Sequence, residues 1–135
     1  MIYFDSNVLV HYFTTYEPVK HVEAKQLVEQ AVVDRAFYIT MLCVQETAFA
    51  LAKLQQPLPE INLAVNQLLL TASVGYQRHH FQRASQLAQH LGFQNINDCL
   101  HTALAEARNC SELLTYNRKD FSRIQSYTSM KIRLL

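Results

Sequence analysis

The chain has 135 residues, a formal charge of +1 and half of its residues apolar, which suits one continuous core in one domain. A charge so close to zero neither marks nor excludes a polyanion-binding surface, because carboxylates that hold divalent cations lower the net charge of the bare chain. With two glycines and three prolines there is no linker-like stretch, and residues 1–135 are expected to fold as a unit.

Ile2–Phe4 is a short apolar run that ends in Asp5-Ser6-Asn7, residues that favour turns and caps, and Val8–Phe13 continues as a helix. Pro18 suits the first position of a second helix, in which Ala24, Leu27, Val28, Ala31 and Val32 form one apolar stripe. Phe37–Ile39 predicts a second strand. Thr40 caps the helix after it, with Val44, Ala48, Leu51 and Ala52 expected inward and Glu46 near the N-terminal end, until Pro57 and Pro59 stop it.

Ile61, Ala64, Val65 and Leu68 open another helix, Ala72–Tyr76 is a candidate short strand, and Phe81, Ala84, Ala88 and Leu91 mark a helix that Gly92 closes. The clearest periodicity runs from Asn95 through Ile96, Cys99, Leu100, Ala103, Leu104 and Ala107, with Asp98 in the first turn. Glu112–Thr115 predicts a strand, Asn117–Arg123 a turn with a short helix, and Met130–Leu134 a last strand. Strands separated by helices imply parallel pairing and a three-layer α/β/α fold, whose functional crevice lies beyond the carboxyl ends of the strands.

Only eleven residues are acidic, and four of them, Asp5, Glu46, Asp98 and Asp120, fall at strand-to-helix junctions. Clustered carboxylates repel one another unless a hard cation with oxygen ligands compensates them, which points to magnesium and to phosphodiester hydrolysis. Each has a plainer alternative: Asp98 as a dipole-favoured residue, Asp5 as a turn or N-cap, Glu46 as an ordinary half-exposed glutamate, Asp120 as a structural residue.

At Phe4-Asp5-Ser6-Asn7-Val8-Leu9, Gln45-Glu46, Ile96-Asn97-Asp98 and Thr115-Tyr116-Asn117-Arg118-Lys119-Asp120-Phe121, the chain resembles the PIN-domain family, particularly VapC-type toxins, over nearly its whole length. The resemblance implies a flavodoxin-like sheet of about five parallel strands and a ribonuclease whose Asp5 and Asp98 hold Mg2+, or Mn2+ in its place. It assigns Glu46 to metal or water, and Asn7, Thr115, Asn117 and Asp120 to the surrounding polar cluster. Many relatives carry an acid where this chain has Asn117, so Asp120 is the alternative fourth carboxylate.

A toxin-like enzyme implies a cognate antitoxin and a homodimer as working unit. Arg118 and Lys119, with Arg123, are expected at the RNA backbone; Arg78, His79, His80 and Arg83 form a second basic cluster, and Tyr12, Phe13 and Tyr16 are aromatic candidates for base stacking or core. The six histidines show no zinc-site spacing, the glycines supply no P-loop, and Cys43, Cys99 and Cys110 lack a C-x-x-C pair, which fits a reducing cytoplasm. No window approaches about 18 apolar residues, and the chain starts on strand-like residues instead of a basic leader. Two rivals differ in class: a PIN-like RNA-binding module with a degenerate site, and a phosphate-accepting α/β domain, which the lone early Asp5 fits poorly.

Overall fold

In the computed structural model, which describes residues 1–135, the opening apolar run is strand β1 (Ile2–Phe4), and Asp5 starts helix α1 (Ser6–Phe13) directly. Helix α2 (Pro18–Val33), strand β2 (Phe37–Tyr38) and helices α3 (Met41–Lys53), α4 (Leu58–Leu69), α5 (Arg78–Leu91) and α6 (Ile96–Ala107) follow. Strand β3 (Glu112–Thr115), helix α7 (Arg118–Ile124) and strand β4 (Lys131–Leu134) complete the chain, and 3₁₀ turns precede α6 and follow α7.

All strand pairs are parallel, in the order β2-β1-β3-β4, with Ile2 opposite both Phe37 and Glu112 and with Glu112 opposite Lys131. The sheet has four strands, one fewer than expected. The expected strand at Ala72–Tyr76 is reduced to a single bridge between Ser73 and Thr40, held by Ser73 N–H to Ile39 O at 3.1 Å and Met41 N–H to Ser73 O at 3.1 Å. Beyond it the chain turns out to solvent, where Val74 is 87% exposed, so no ladder extends.

Helices α1 to α4 pack among themselves, as do α5 to α7, and the sheet meets one group through α1 and α2 and the other through α6 and α7, giving the three-layer α/β/α arrangement. Tyr3, Phe4, Leu113 and Leu114 are buried on both faces of the sheet, as a central parallel strand pair requires, and burial of each large apolar side chain is worth about 1.5–3 kcal/mol. The helical stripes are close to those expected, except that Phe81 at the start of α5 and Ala107 at the end of α6 are exposed, and that α2 and α3 are shifted. In α2, Val32 is exposed and the buried set is Ala24, Val28 and Ala31; in α3, Cys43, Val44, Thr47 and Leu51 face inward, while Ala48 is half-buried and Ala52 exposed. The α3 stripe is thus centred on Thr47, whose short hydroxyl side chain fits where periodicity alone favours the flanking alanine.

With so few glycines, three helices end on other residues in the left-handed region: Arg35 (φ 54), Gln55 (φ 57) and Asn109 (φ 55). Each is followed by a reach-back bond, Ala36 to Ala31, Gln56 to Leu51 and Cys110 to Ala105, the Schellman closure that satisfies the last carbonyls. Only α5 ends on glycine, at Gly92 (φ 99).

Candidate active site

From β1 the chain crosses to β2 on one side and, much later, to β3 on the other, so the strand order reverses between β1 and β3. Connections leave in opposite directions there, and a crevice opens beyond the carboxyl ends of these two strands. Asp5 follows β1 and Thr115 ends β3, which places both at that crevice.

Asp5 is the N-terminal residue of α1, yet its side chain makes no capping bond. It is only 3% exposed, and Oδ2 accepts from Asn7 Nδ2 at 2.7 Å and from Thr115 Oγ1 at 2.7 Å, while Ser6 Oγ lies 3.3 Å from Oδ1. Asn7 also donates to Thr115 Oγ1 at 3.0 Å and accepts from the Tyr116 amide at 3.0 Å, and Asn117 N–H bonds Thr115 Oγ1 at 3.0 Å. The web fixes Asp5's orientation and binds the loop after β3 to the start of α1. The plain N-cap alternative for Asp5 is therefore not what the side chain does.

Asp98 stands in the first turn of α6, and Asp120 in the first turn of α7. Between them lies Asn117, whose Nδ2 donates to Asp98 Oδ2 at 3.2 Å and Asp120 Oδ2 at 3.0 Å, and whose Oδ1 caps α7 by accepting from Asp120 N–H at 3.4 Å. Where an acid would add repulsion, the amide ties two acids together. Even so, burial, followed by the charges of Asp5, Asp120 and Glu46, pushes the Asp98 carboxyl up to about 7.

Glu46, half-buried in the second turn of α3, meets Nε2 of His101, a fully buried residue of α6. The same nitrogen lies 3.6 Å from Asp5 Oδ1, and His101 Nδ1 is 2.7 Å from Tyr3 Oη. Burial opposes charge on this imidazole, but hydrogen bonding with Cys43 and Glu46 and the nearby Asp5 charge hold its pKa well above the ordinary value. Burial keeps the Tyr3 phenol protonated, well above its usual range. His101 is the site residue that the sequence reading misses: within the apolar stripe of α6 it reads as core. Its position three residues after Asp98, on the same helical face, is the available signal.

Beside the acids, a cleft of about 750 Å³ opens between α1 and α3, lined by Ser6, Asn7 and Glu46 at one end and by Tyr16, Phe49 and Lys53 at the other. Tyr16 and Phe49 are largely exposed, whereas Tyr12 and Phe13 pack against the core. The basic candidates are unequal. Arg118 donates to the Leu135 carbonyl at 2.6 Å, Arg123 to the Leu91 carbonyl at 2.9 Å, and Arg83 pairs with Glu106 at 2.8 Å, so all three are engaged structurally. Lys119 is exposed and takes part in no ion pair of the chain.

No three histidine, cysteine or acidic side chains converge tightly enough to enclose an ion by themselves. A hard divalent cation still fits the donor set, because magnesium keeps several waters and uses one or two carboxylates, and burial with the Asp5 charge raises the Asp98 carboxyl, a cost that positive charge beside it would relieve. Zinc fits poorly, since the one imidazole present is already bonded at both nitrogens.

A parallel α/β sheet with an oxygen-donor acidic site at its switch point defines the class of the molecule. The model of the PIN domain matches residues 2–126, and the chain belongs to that family, whose members are generally nucleases. No curated protein matches the sequence. Among solved structures, a chain of VapBC2 from Rickettsia felis, crystallised bound to a DNA fragment from their promoter, superposes with a TM-score of 0.66 at 17% identity, over 100% of this chain and 99% of that one. At that identity the likeness is one of fold.

Proposed function

We propose that the chain is a magnesium-dependent endoribonuclease and the toxin of a toxin–antitoxin pair, working as one PIN-like domain. The observation that carries this reading is the meeting of Asp5, Glu46, Asp98 and Asp120 from four separate elements at the β1/β3 switch point, in a family of nucleases. Asp5 and Asp98 are the residues to hold Mg2+, and Mn2+ suits the same oxygen donors. When bound, the cation supplies Lewis-acid charge at the phosphodiester and makes water more acidic.

The chain's own residues do the rest. Thr115 and Asn7 fix Asp5 so that its Oδ1 edge faces away from their hydrogen bonds, and Asn117 keeps Asp98 and Asp120 together. Glu46 orients the attacking water and takes its proton at a carboxylate oxygen. The cleft beside Glu46 receives single-stranded RNA, whose bases stack readily on exposed aromatic faces such as Tyr16, and Lys119, the free cation of the pair, meets the backbone, while Arg118 stays on the Leu135 carbonyl. One cation is the minimum, and Asn117, neutral between two acids, argues against a tightly held second.

An antitoxin partner follows from the toxin reading and accords with a structural neighbour crystallised as VapBC2; a homodimer and a cytoplasmic location complete it. No helix is long and apolar enough to cross a membrane. The test is cleavage of a mixed RNA pool by purified protein with Mg2+, with EDTA, and as Asp5→Asn with Mg2+. Cutting that both controls abolish supports the nuclease. Tight RNA binding without cutting under any condition supports the rival reading that Asn117 favours, a PIN-like RNA-binding module.

A further inference from the structure

His101 is fully buried, yet neither of its nitrogens is spent on the backbone. Nε2 meets Glu46 Oε1 and lies 3.6 Å from Asp5 Oδ1; Nδ1 meets Tyr3 Oη at 2.7 Å. Behind the ring, Tyr3 Oη is itself held by Thr40 Oγ1 at 3.0 Å and by the Cys43 thiol at 3.2 Å, and the Tyr3 and His101 rings pack edge to face at 5.7 Å. Thus a continuous line of side chains runs from the N-cap of α3, through β1 and α6, back to Glu46 on α3.

We infer that His101, backed by Tyr3, is the positioning residue for Glu46, fixing one carboxylate oxygen so that the other is presented to the cleft. The inference rests on the proposed role of Glu46 at the attacking water. Two carboxylates face Nε2, and carboxylates only accept, so Nε2 carries hydrogen whether the ring is neutral or charged. Tyr3 serves both cases: its O–H donates to a bare Nδ1, or its oxygen accepts from a protonated one and its hydrogen goes to Thr40. Glu46 lines the cleft with its side chain 26% exposed, so left alone it would sample several rotamers. Its Oε1 is bound to a ring that cannot turn, whereas Oε2 takes no hydrogen bond within the chain. A structural histidine needs only a satisfied ring; this one spends its whole hydrogen-bonding capacity on linking a core tyrosine to a cleft glutamate.

The contact is tested first in the metal-free protein labelled with 15N-histidine. At least one ring N–H protected from solvent exchange, that of Nε2, is expected, assigned to His101 by its loss in His101→Gln and displaced in Glu46→Gln. A spectrum without it, or one indifferent to Glu46→Gln, overturns the inference whatever the activity. Kinetics follow with Tyr3→Phe, which keeps ring and volume, and with His101→Leu and His101→Gln, whose amide restores an N–H donor. Removing a group that orients a functional ligand typically costs 10–100-fold. Tyr3→Phe is expected to lower kcat about tenfold with KM for RNA unchanged, and His101→Leu more, with His101→Gln partly restoring it.

In a Glu46→Gln background the same changes should add nothing, because there is no carboxylate left to orient; full additivity overturns the inference and leaves His101 a packing residue. If wild-type protein cuts no RNA while the protected proton is present, the functional reading fails and takes this one with it. If it cuts RNA and Tyr3→Phe and His101→Leu keep the wild-type kcat, only the positioning role fails.

Discussion

Replacing Asp98 by asparagine should make the metal-free protein more stable, not less. The native carboxyl is pushed up to about 7 from an ordinary 3.8, chiefly by burial and then by the Asp5 charge. The unfolded chain therefore releases this proton near pH 4 while the native state keeps it until near pH 7. Between those limits the native state holds more protons, so stability falls as pH rises across the window and stays reduced above it. Each tenfold change in acidity is worth about 1.4 kcal/mol, which sets an upper bound of about 4 kcal/mol on the cost above pH 7. Solvent at the open edge of the carboxyl screens part of it, and about 2 kcal/mol is the expected net.

The amide keeps the shape and still accepts from Asn117, so Asp98→Asn should recover that amount. Thermal melts in EDTA near pH 8 should show the variant about 5–10 °C above wild type, and near pH 4, where both side chains are neutral, the gap should close. Added Mg2+ should raise the wild-type midpoint and leave the variant's unmoved, because a ligand stabilises only the state that binds it. A variant that melts below wild type in EDTA near pH 8 would refute the reasoning.

Two further outcomes follow from the polar web. Thr115→Val removes a fully buried hydroxyl that donates to Asp5 and accepts from Asn7 and the Asn117 amide; unpaired buried groups remain, so chemical denaturation should report a loss of about 1–3 kcal/mol, and RNA cleavage should fall 10–100-fold. A smaller stability loss than about 0.5 kcal/mol would show that water replaces the hydroxyl. Asn117→Asp sets a third charge within reach of Asp98 and Asp120. It should lower metal-free stability near pH 8 by about 1–3 kcal/mol and strengthen divalent-cation binding, both read by melts against Mg2+ and Mn2+; unchanged cation dependence would place Asn117 outside the metal's reach.

The elements that were legible in the sequence are those whose signals are local. Ile2–Phe4 before Asp5-Ser6-Asn7, Thr40 ahead of α3, Gly92 after α5 and the apolar period of α6 each report a rule that acts within a few residues. The fifth strand was not: Ala72–Tyr76 has strand-like composition, but whether it pairs depends on where the chain goes after Ser73, and it goes to solvent. The acidic residues could be chosen from junction positions and family resemblance, whereas the Thr115–Asp5 bond joins residues 110 apart in sequence and exists only because β1 and β3 are neighbours. Arg118 misleads for a similar reason. Its sequence neighbours suggest a phosphate contact, yet its guanidinium is held by the carbonyl of Leu135.

His101 and Asn117 together suggest how such a site is folded before any cation arrives. Asp98 and His101 lie one turn apart on α6, so the helix that brings a carboxylate into the cluster brings an imidazole with it, and the imidazole sits between Glu46 and Asp5. On the other side, Asn117 puts an amide between Asp98 and Asp120. A hydrogen-bond donor thus stands between Glu46 and Asp5 and another between Asp98 and Asp120, yet burial and then the Asp5 charge still push the Asp98 carboxyl up to about 7. Burial and carboxylate repulsion at Asp98 are a cost that the fold carries without a cation. This is also the place where a bound cation gains most, because positive charge beside Asp98 relieves a penalty that the fold itself does not remove.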